Sequence, residues 1–336
     1  MYIVGPLYDW AWFLLPPIAS LVLGAALSQS WWTEHRFWLQ GRRFTPSGLL
    51  VGTITGAHLA AVFFRSHANP KVFPRHRFRF VVLPLLAFAA MMSSAWAACV
   101  TTVLVTFWDA YHSALQTFGL ARIYDRNAGN DPRAGRWLDL GLHVILYLGP
   151  IVAGATMLAH FQRFDVFEEV DAPALAAIPA HMQARHGTIA RAVLAAGAAF
   201  LAVYALGYLR LHRRGYRFSA QKVFLLSTTA LVSIWAWGFN AWGQAFFIMN
   251  LFHAVQYLAL VWSSEGKRLG RAVRMDRSRL GRVAFACAFF GGVIAYGLWS
   301  ELVPSDDRLR WSIVQTVALM HFYYDGFIWS VRKSHI

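Results

Sequence analysis

The sequence predicts an all-α fold: a polytopic integral membrane helical bundle of about ten transmembrane helices, forming one domain over residues 1–336. Three observations lead there. Hydrophobic residues make up 57% of the chain and charged residues only 14%, against about 25% charged in an ordinary soluble domain. The apolar residues fall in runs of roughly twenty, the length a helix needs to cross a bilayer. The basic residues gather in every second connection between those runs, the pattern that sets membrane orientation.

Taken in order, the expected spans cover 9–28, 47–65, 79–95, 98–122, 137–160, 188–211, 222–240, 242–264, 281–301 and 309–331. The amino-terminal stretch lacks a basic segment ahead of its apolar run, so it is expected to be retained as the first span rather than cleaved. Ser93 and Ser94 mark a tight turn between the third and fourth spans. Gly238, Phe239, Asn240 and Gly243 mark another between the seventh and eighth. The hairpins 79–122 and 222–264 repeat weakly: Asp109-x-x-His112 with Gln116 in one, Asn250-x-x-His253 with Gln256 in the other. The long connection 161–187 carries Pro173 and Pro179 around a short apolar run, and is expected to form an interfacial helix or a lid.

Five segments, 65–79, 122–136, 210–222, 267–282 and 332–333, hold 23 of the 31 Lys and Arg residues. The opposite side carries the acidic groups of 165–171 and 301–307. Both termini are therefore expected to be cytoplasmic, in an inner or plasma membrane. The net charge of +15 follows from these loops, so nucleic acid is not an expected partner. Cys99 and Cys287 stand alone in apolar runs, with no spacing for a disulfide framework or a soft-metal site.

The chemistry lies in histidines inside the spans. An ionisable residue in hydrocarbon is costly, and it faces protein or a cavity where it serves function. His58 lies seven residues before Arg65, His112 ten before Arg122, His321 eleven before Arg332, His143 seven after Arg136, and His253 twelve before Glu265. At the helical rise all five sit roughly 10–18 Å inside the cytoplasmic boundary. Asp109/His112 and Asn250/His253 are three apart, and Asp139/His143 and His321/Asp325 four apart. Either spacing puts both side chains on one helix face.

A single intramembrane histidine more often donates a hydrogen bond between helices than ligates. Five at one depth, three of them beside a carboxylate, shift the balance to a metal site. The expected ligands are His58, His112, His253 and His321. His143 is either a fifth ligand or one half of a structural pair with Asp139. Asp109 and Asp325 are expected as further ligands or as bases beside the metal. Imidazole with carboxylate suits non-haem iron, with zinc, manganese and copper as competitors. Gln116, Gln256, Tyr111, Tyr257 and Tyr324 are expected to line a pocket for a lipophilic substrate, since ligand cavities are mainly apolar with a few placed polar groups. His67 is expected among headgroups, and His76, His160, His181, His186, His212 and His335 in solvated loops.

No HExxH, GxGxxG, Walker or GxSxG motif is present, and the histidine boxes of membrane desaturases are absent. In its layout of single histidines on separate helices around an apolar interior, the chain resembles the Brp/Blh-type carotenoid-cleaving dioxygenases of membranes. That resemblance implies iron, dioxygen and a polyene substrate. The favoured expectation is thus a membrane metal-dependent oxidoreductase, with the bilayer, a lipophilic substrate and an electron-donor protein as partners. Two alternatives stay open: a haem protein with two of these histidines as axial ligands, and a proton- or cation-coupled transporter using the same buried groups, with Gly149-Pro150 as its candidate helix break.

Overall fold

The computed structural model describes residues 2–303 and 307–329. Asp306, Arg332, Lys333 and His335, which figure in the charge pattern above, lie outside the described residues, as does the end of the last expected span. Helices dominate: α1 (Pro16–Leu27), α2 (Pro46–Arg65), α3 (Phe73–Ser93), α4 (Ala95–Asn127), α5 (Arg136–Ala153), α6 (His186–Arg213), α7 (Ala220–Phe239), α8 (Trp242–Ala272), α9 (Arg279–Leu302) and α10 (Arg308–Ile328). Among the described residues seven of these are long and apolar enough to cross a membrane, and an eighth span arises if the bent pair Pro6–Leu14 and Pro16–Leu27 counts as one. The two further helices of the expected ten, α4 and α10, fall below that measure. They carry Asp109, His112 and Gln116, and His321 and Asp325, and these polar side chains dilute their apolar length.

The predicted turns fall where expected. Ser94 is the single extended residue between α3 and α4, and Asn240 ends α7 in an extended conformation just before α8. Gly149-Pro150, the candidate break of the transporter alternative, does not interrupt α5, which runs through to Ala153. The bend lies instead at the amino terminus, 47° between Pro6–Leu14 and Pro16–Leu27. Pro16 and Pro17 there lack the N–H groups that would continue the helical ladder. Residues 161–187 form short helical turns, including Gln162–Val170 and Ile178–Ala184.

The chain divides into two compact units, residues 2–24 with Ala95–Met249, and Ala25–Ser94 with 250–329. In the first unit α5 packs against α4, α6 and α7. Along α6 only Tyr208 is buried, while Leu194 and Leu206 are 68% and 58% exposed. Such an uncovered apolar surface is compatible with lipid contact. Asp9, inside the first expected span, is fully buried but well satisfied. It accepts hydrogen bonds from the backbone N–H groups of Ile3, Val4 and Gly5 and from the Tyr124 hydroxyl.

The first unit also holds an ion cluster that the charge pattern hides. Asp125 and Asp139 each pair with both Arg122 and Lys222 at 2.6–2.7 Å. Tyr204 and Tyr208 donate to Asp139, Tyr216 donates to Asp125, and Arg122 also reaches the Pro132 and Ala134 carbonyls. Burial, reinforced by the Asp125 carboxylate, raises the Tyr216 phenol above its usual range, so it stays a donor. Two of the supposed cytoplasmic cations are therefore buried at 2–3% exposure. The cluster is neutral, which is the condition under which four charges tolerate a low-dielectric interior.

In the second unit α2 lies close against α9. A Cβ on Gly56 would meet Gly297 and Ser300, and one on Gly297 would overlap the Thr53 carbonyl. Glycines at such a contact let two backbones approach directly, and this one seats α2 one turn before His58. The core of this unit includes Ala57, Ala61, Phe80, Tyr257, Phe289, Val293 and Tyr324. Outside the all-α expectation, Phe37–Leu39 and Arg42–Phe44 pair as a small antiparallel hairpin, β1 and β2. Its turn places Gln40 and Gly41 at positive φ, which glycine adopts without penalty. Arg42 donates from there to the carbonyls of Glu301 and Val303 at the end of α9.

Candidate metal centre

Three of the expected ligands meet inside the second unit. His58 comes from the middle of α2, His253 from α8 and His321 from α10, and all three are buried. The ring of His58 lies 4.9 Å, centroid to centroid, from each of the other two. Neither ring nitrogen of His58 makes a hydrogen bond of normal geometry. A neutral imidazole carries one N–H and one lone pair; the Thr55 carbonyl, one turn back, is an imperfect partner for the N–H, and a buried, unsatisfied lone pair costs about 1–3 kcal/mol. A bound ion accounts for an acceptor nitrogen held in this way.

The tautomer of His321 is fixed. Its Nδ1 lies 3.1 Å from the Leu59 carbonyl, which can only accept, so Nδ1 carries the proton and Nε2 the lone pair. Such an outer hydrogen bond orients a ligating imidazole and raises its basicity. Nε2 of His321 faces Asp325 Oδ2 at 3.6 Å, a spacing compatible with two ligands on one ion at about 2.0–2.2 Å each. The other carboxylate oxygen of Asp325 accepts from the Tyr257 hydroxyl and the Trp329 indole, both at 2.9 Å. Trp329 is capped in turn by the Arg65 guanidinium, 4.9 Å above its ring. Arg65 is held by buried Glu265, which also binds Arg268 and Asn69. A continuous set of polar contacts thus positions Asp325 beside His321.

A scan of known family models, a search of curated proteins and a search of solved structures each find no match. The assignment rests on the residues themselves.

The remaining site residues distribute as follows. Gln256 and Tyr257 are buried on α8, and Tyr324 is buried on α10 with its hydroxyl directed at the Arg79 and Phe80 carbonyls. Tyr324 also lines an apolar groove of about 390 Å³ with Leu59, Phe63, His67, Tyr296 and Met320. Leu59 and Met320 are the sequence neighbours of His58 and His321, but His58, His253 and His321 are themselves not in the groove wall. Tyr257, Tyr111, Gln116 and Gln256 are not part of its wall.

Asp109, Tyr111, His112, Gln116 and His143 belong to the first unit. His112 is buried on α4, Asp109 and Gln116 are half-buried, and Tyr111 is 37% exposed. His143 packs edge-on against Phe118. The expected Asp139–His143 carboxylate pair does not form: His143 Nδ1 bonds the Asp139 backbone carbonyl at 2.6 Å, because Arg122, Lys222 and two tyrosines take the carboxylate.

Several histidines depart from the sequence expectation. His67 is half-buried. Its ring bonds Ser66 and the Phe80 carbonyl and stacks on Phe63 at 5.2 Å, because Asn69 ties the following loop to Glu265 and folds it inward. His160 is buried rather than solvated, against Trp237 and Trp242 with Nδ1 on the Thr156 carbonyl. His181 is exposed, as expected. The depth count also needs adjustment. Arg122 and Glu265, two of its reference points, are buried in the protein.

Proposed function

We propose that the chain is an integral membrane metal-dependent oxidoreductase that uses non-haem iron and dioxygen on a lipophilic substrate. The observation that carries the reading is His58: a fully buried imidazole, both nitrogens without a normal hydrogen bond, between His253 and His321. His58, His253 and His321 would hold the ion, with Asp325 as a fourth ligand or adjacent base. Their donor set, imidazole with a carboxylate and no thiolate, suits iron. Iron bound there would supply dioxygen activation and Lewis acidity.

The chain's own residues do the rest. The Leu59 carbonyl holds His321 in the ligating tautomer, and Tyr257 and Trp329 hold Asp325. The groove along Leu59, Phe63 and Met320 takes the hydrocarbon of the substrate and excludes water from the reacting end. A polyene is the substrate class suggested by the resemblance to membrane carotenoid-cleaving dioxygenases. Ten spans, with both termini on the cytoplasmic side, remain part of the same proposal.

Metal analysis of the purified protein after iron-supplemented growth tests the reading, together with dioxygen consumption on a polyene in detergent. Near-stoichiometric iron and metal-dependent consumption are expected. A Soret band would assign the histidines to haem instead, and absence of any stoichiometric metal would remove the proposal. Tyr257→Phe deletes one donor to Asp325 while keeping the ring in the core. It is expected to weaken iron binding by about 10–100-fold without loss of folded protein, as read by metal titration. Unchanged affinity would place Asp325 outside the centre.

A further inference from the structure

The first unit carries a second feature that the metal site does not use. A groove of about 380 Å³ lies between the start of α5 and the end of α6, lined by Arg133, Arg136, Arg210 and Arg214 with Trp137 and Leu211. Four arginines line it, Arg136 with its guanidinium over the Phe118 ring, and no acidic residue is in its wall. The nearest acidic side chain along α5, Asp139, has both oxygens engaged by Arg122, Lys222, Tyr204 and Tyr208. Asp131, just ahead of the groove, turns an oxygen back to the Arg133 backbone N–H.

The sequence builds this crowding deliberately. Gly135 has φ +67°, and a Cβ there would sit 2.6 Å from the Tyr208 hydroxyl. A Cβ on Gly207 would sit 2.5 Å from Leu138. The two glycines therefore draw the helices together and bring both arginine pairs to one groove. The amino terminus of the 18-residue α5 has no side-chain cap, and its dipole adds to the positive potential. Along one edge Trp137 is 77% exposed, an indole placed as in the interfacial belt of membrane proteins.

We propose that this groove binds the phosphate of an anionic amphiphile, with the arginines on the phosphate and Trp137 and Leu211 against the start of its chain. Arginine forks match phosphate oxygens in pairs, and basic pockets between membrane helices are suited to anionic headgroups. A bound phosphate also relieves the mutual repulsion of four cations.

The test uses the full chain in nanodiscs of phosphatidylcholine, with or without phosphatidylglycerol, followed by native mass spectrometry of retained lipid. Wild type is expected to retain phosphatidylglycerol over phosphatidylcholine. The triple variant R133Q/R210Q/R214Q is expected to bind it at least about tenfold more weakly. R271Q/R274Q/R277Q, an equal charge change in another basic loop, is expected to stay within about twofold, because the effect belongs to the groove and not to bulk charge. If the triple variant does not fold, Arg214→Gln alone should weaken binding by about fivefold. Displacement of the lipid by millimolar inorganic phosphate would assign the site to a soluble phosphate compound, and resistance would assign it to the headgroup. Equal retention of both lipids, an unaffected triple variant, or an equal loss in the control variant would overturn the proposal.

Discussion

His58→Ala is expected to abolish stoichiometric metal binding while leaving the protein folded and inserted. His58 is the central ring of the three, 4.9 Å from both His253 and His321, so its removal takes away the member that links the others. The cost to folding is expected to come from lost packing and not from stranded hydrogen-bond partners. The ring's nitrogens lack normal hydrogen bonds, so its deletion strands few partners. The lost packing would cost on the order of 2–5 kcal/mol, the range for large-to-alanine core changes. His58→Gln tests the same point with less loss of volume. Metal content by elemental analysis and thermal unfolding in detergent, measured on the same preparation, separate the two effects. Full metal occupancy in either variant would show that His58 is a packing residue.

The second large effect is expected at Lys222. Removing one partner of a buried ion cluster leaves an uncompensated charge, which costs about 3–5 kcal/mol. Lys222→Met leaves Asp125 and Asp139 facing Arg122 alone, with net charge −1 inside the first unit. A marked loss of thermal stability should follow. The double variant K222M/D125N restores neutrality around the Arg122–Asp139 pair and is expected to recover a large part of the loss. The coupling energy of that double-mutant cycle is the quantity to measure. Additive destabilisation, with no recovery, would mean that the cluster's charges are not held in one low-dielectric site. Metal content should be unchanged in both variants, since neither Lys222 nor Asp125 is among the proposed ligands.

These two sites differ in how readable they are from sequence. Histidines in the middle of apolar runs stand out against their surroundings, and the spacing of His321 and Asp325 puts them on one helix face. His58, His253 and His321 were therefore identifiable, although the depth scale that grouped them used Arg122 and Glu265 as surface markers. Both are buried, and no local feature separates a buried arginine from one at a headgroup. The ion cluster is the consequence of that ambiguity. Its one sequence signal is the coincidence of Arg122 with Asp125 three residues on and of Tyr204 with Tyr208 four residues on, at the ends of apolar runs. The β1–β2 hairpin had a signal too, the Gln40-Gly41 turn between Phe37–Leu39 and Arg42–Phe44. It was obscured by aromatic and arginine residues that read equally as an interfacial loop.

His67 and His160 show a further limit. His67 lies two residues past the end of α2 and His160 in the short helix Met157–Phe161 beyond α5, places where a chain leaving the bilayer would expose them. The fold turns both inward, through Asn69 on Glu265 in one case and through packing on Trp237 and Trp242 in the other. Those contacts join residues far apart in the chain, and helical periodicity carries no record of them.

The central claim is that His58, His253 and His321 hold one metal ion. Anomalous diffraction from crystals of the iron-grown protein, recorded on both sides of the iron edge, tests it most directly. The account predicts a single strong peak within about 2.0–2.3 Å of a ring nitrogen of each of these histidines, with Asp325 at or next to the ion. A fully ordered histidine cluster with no anomalous peak, or a peak bound elsewhere, would contradict it.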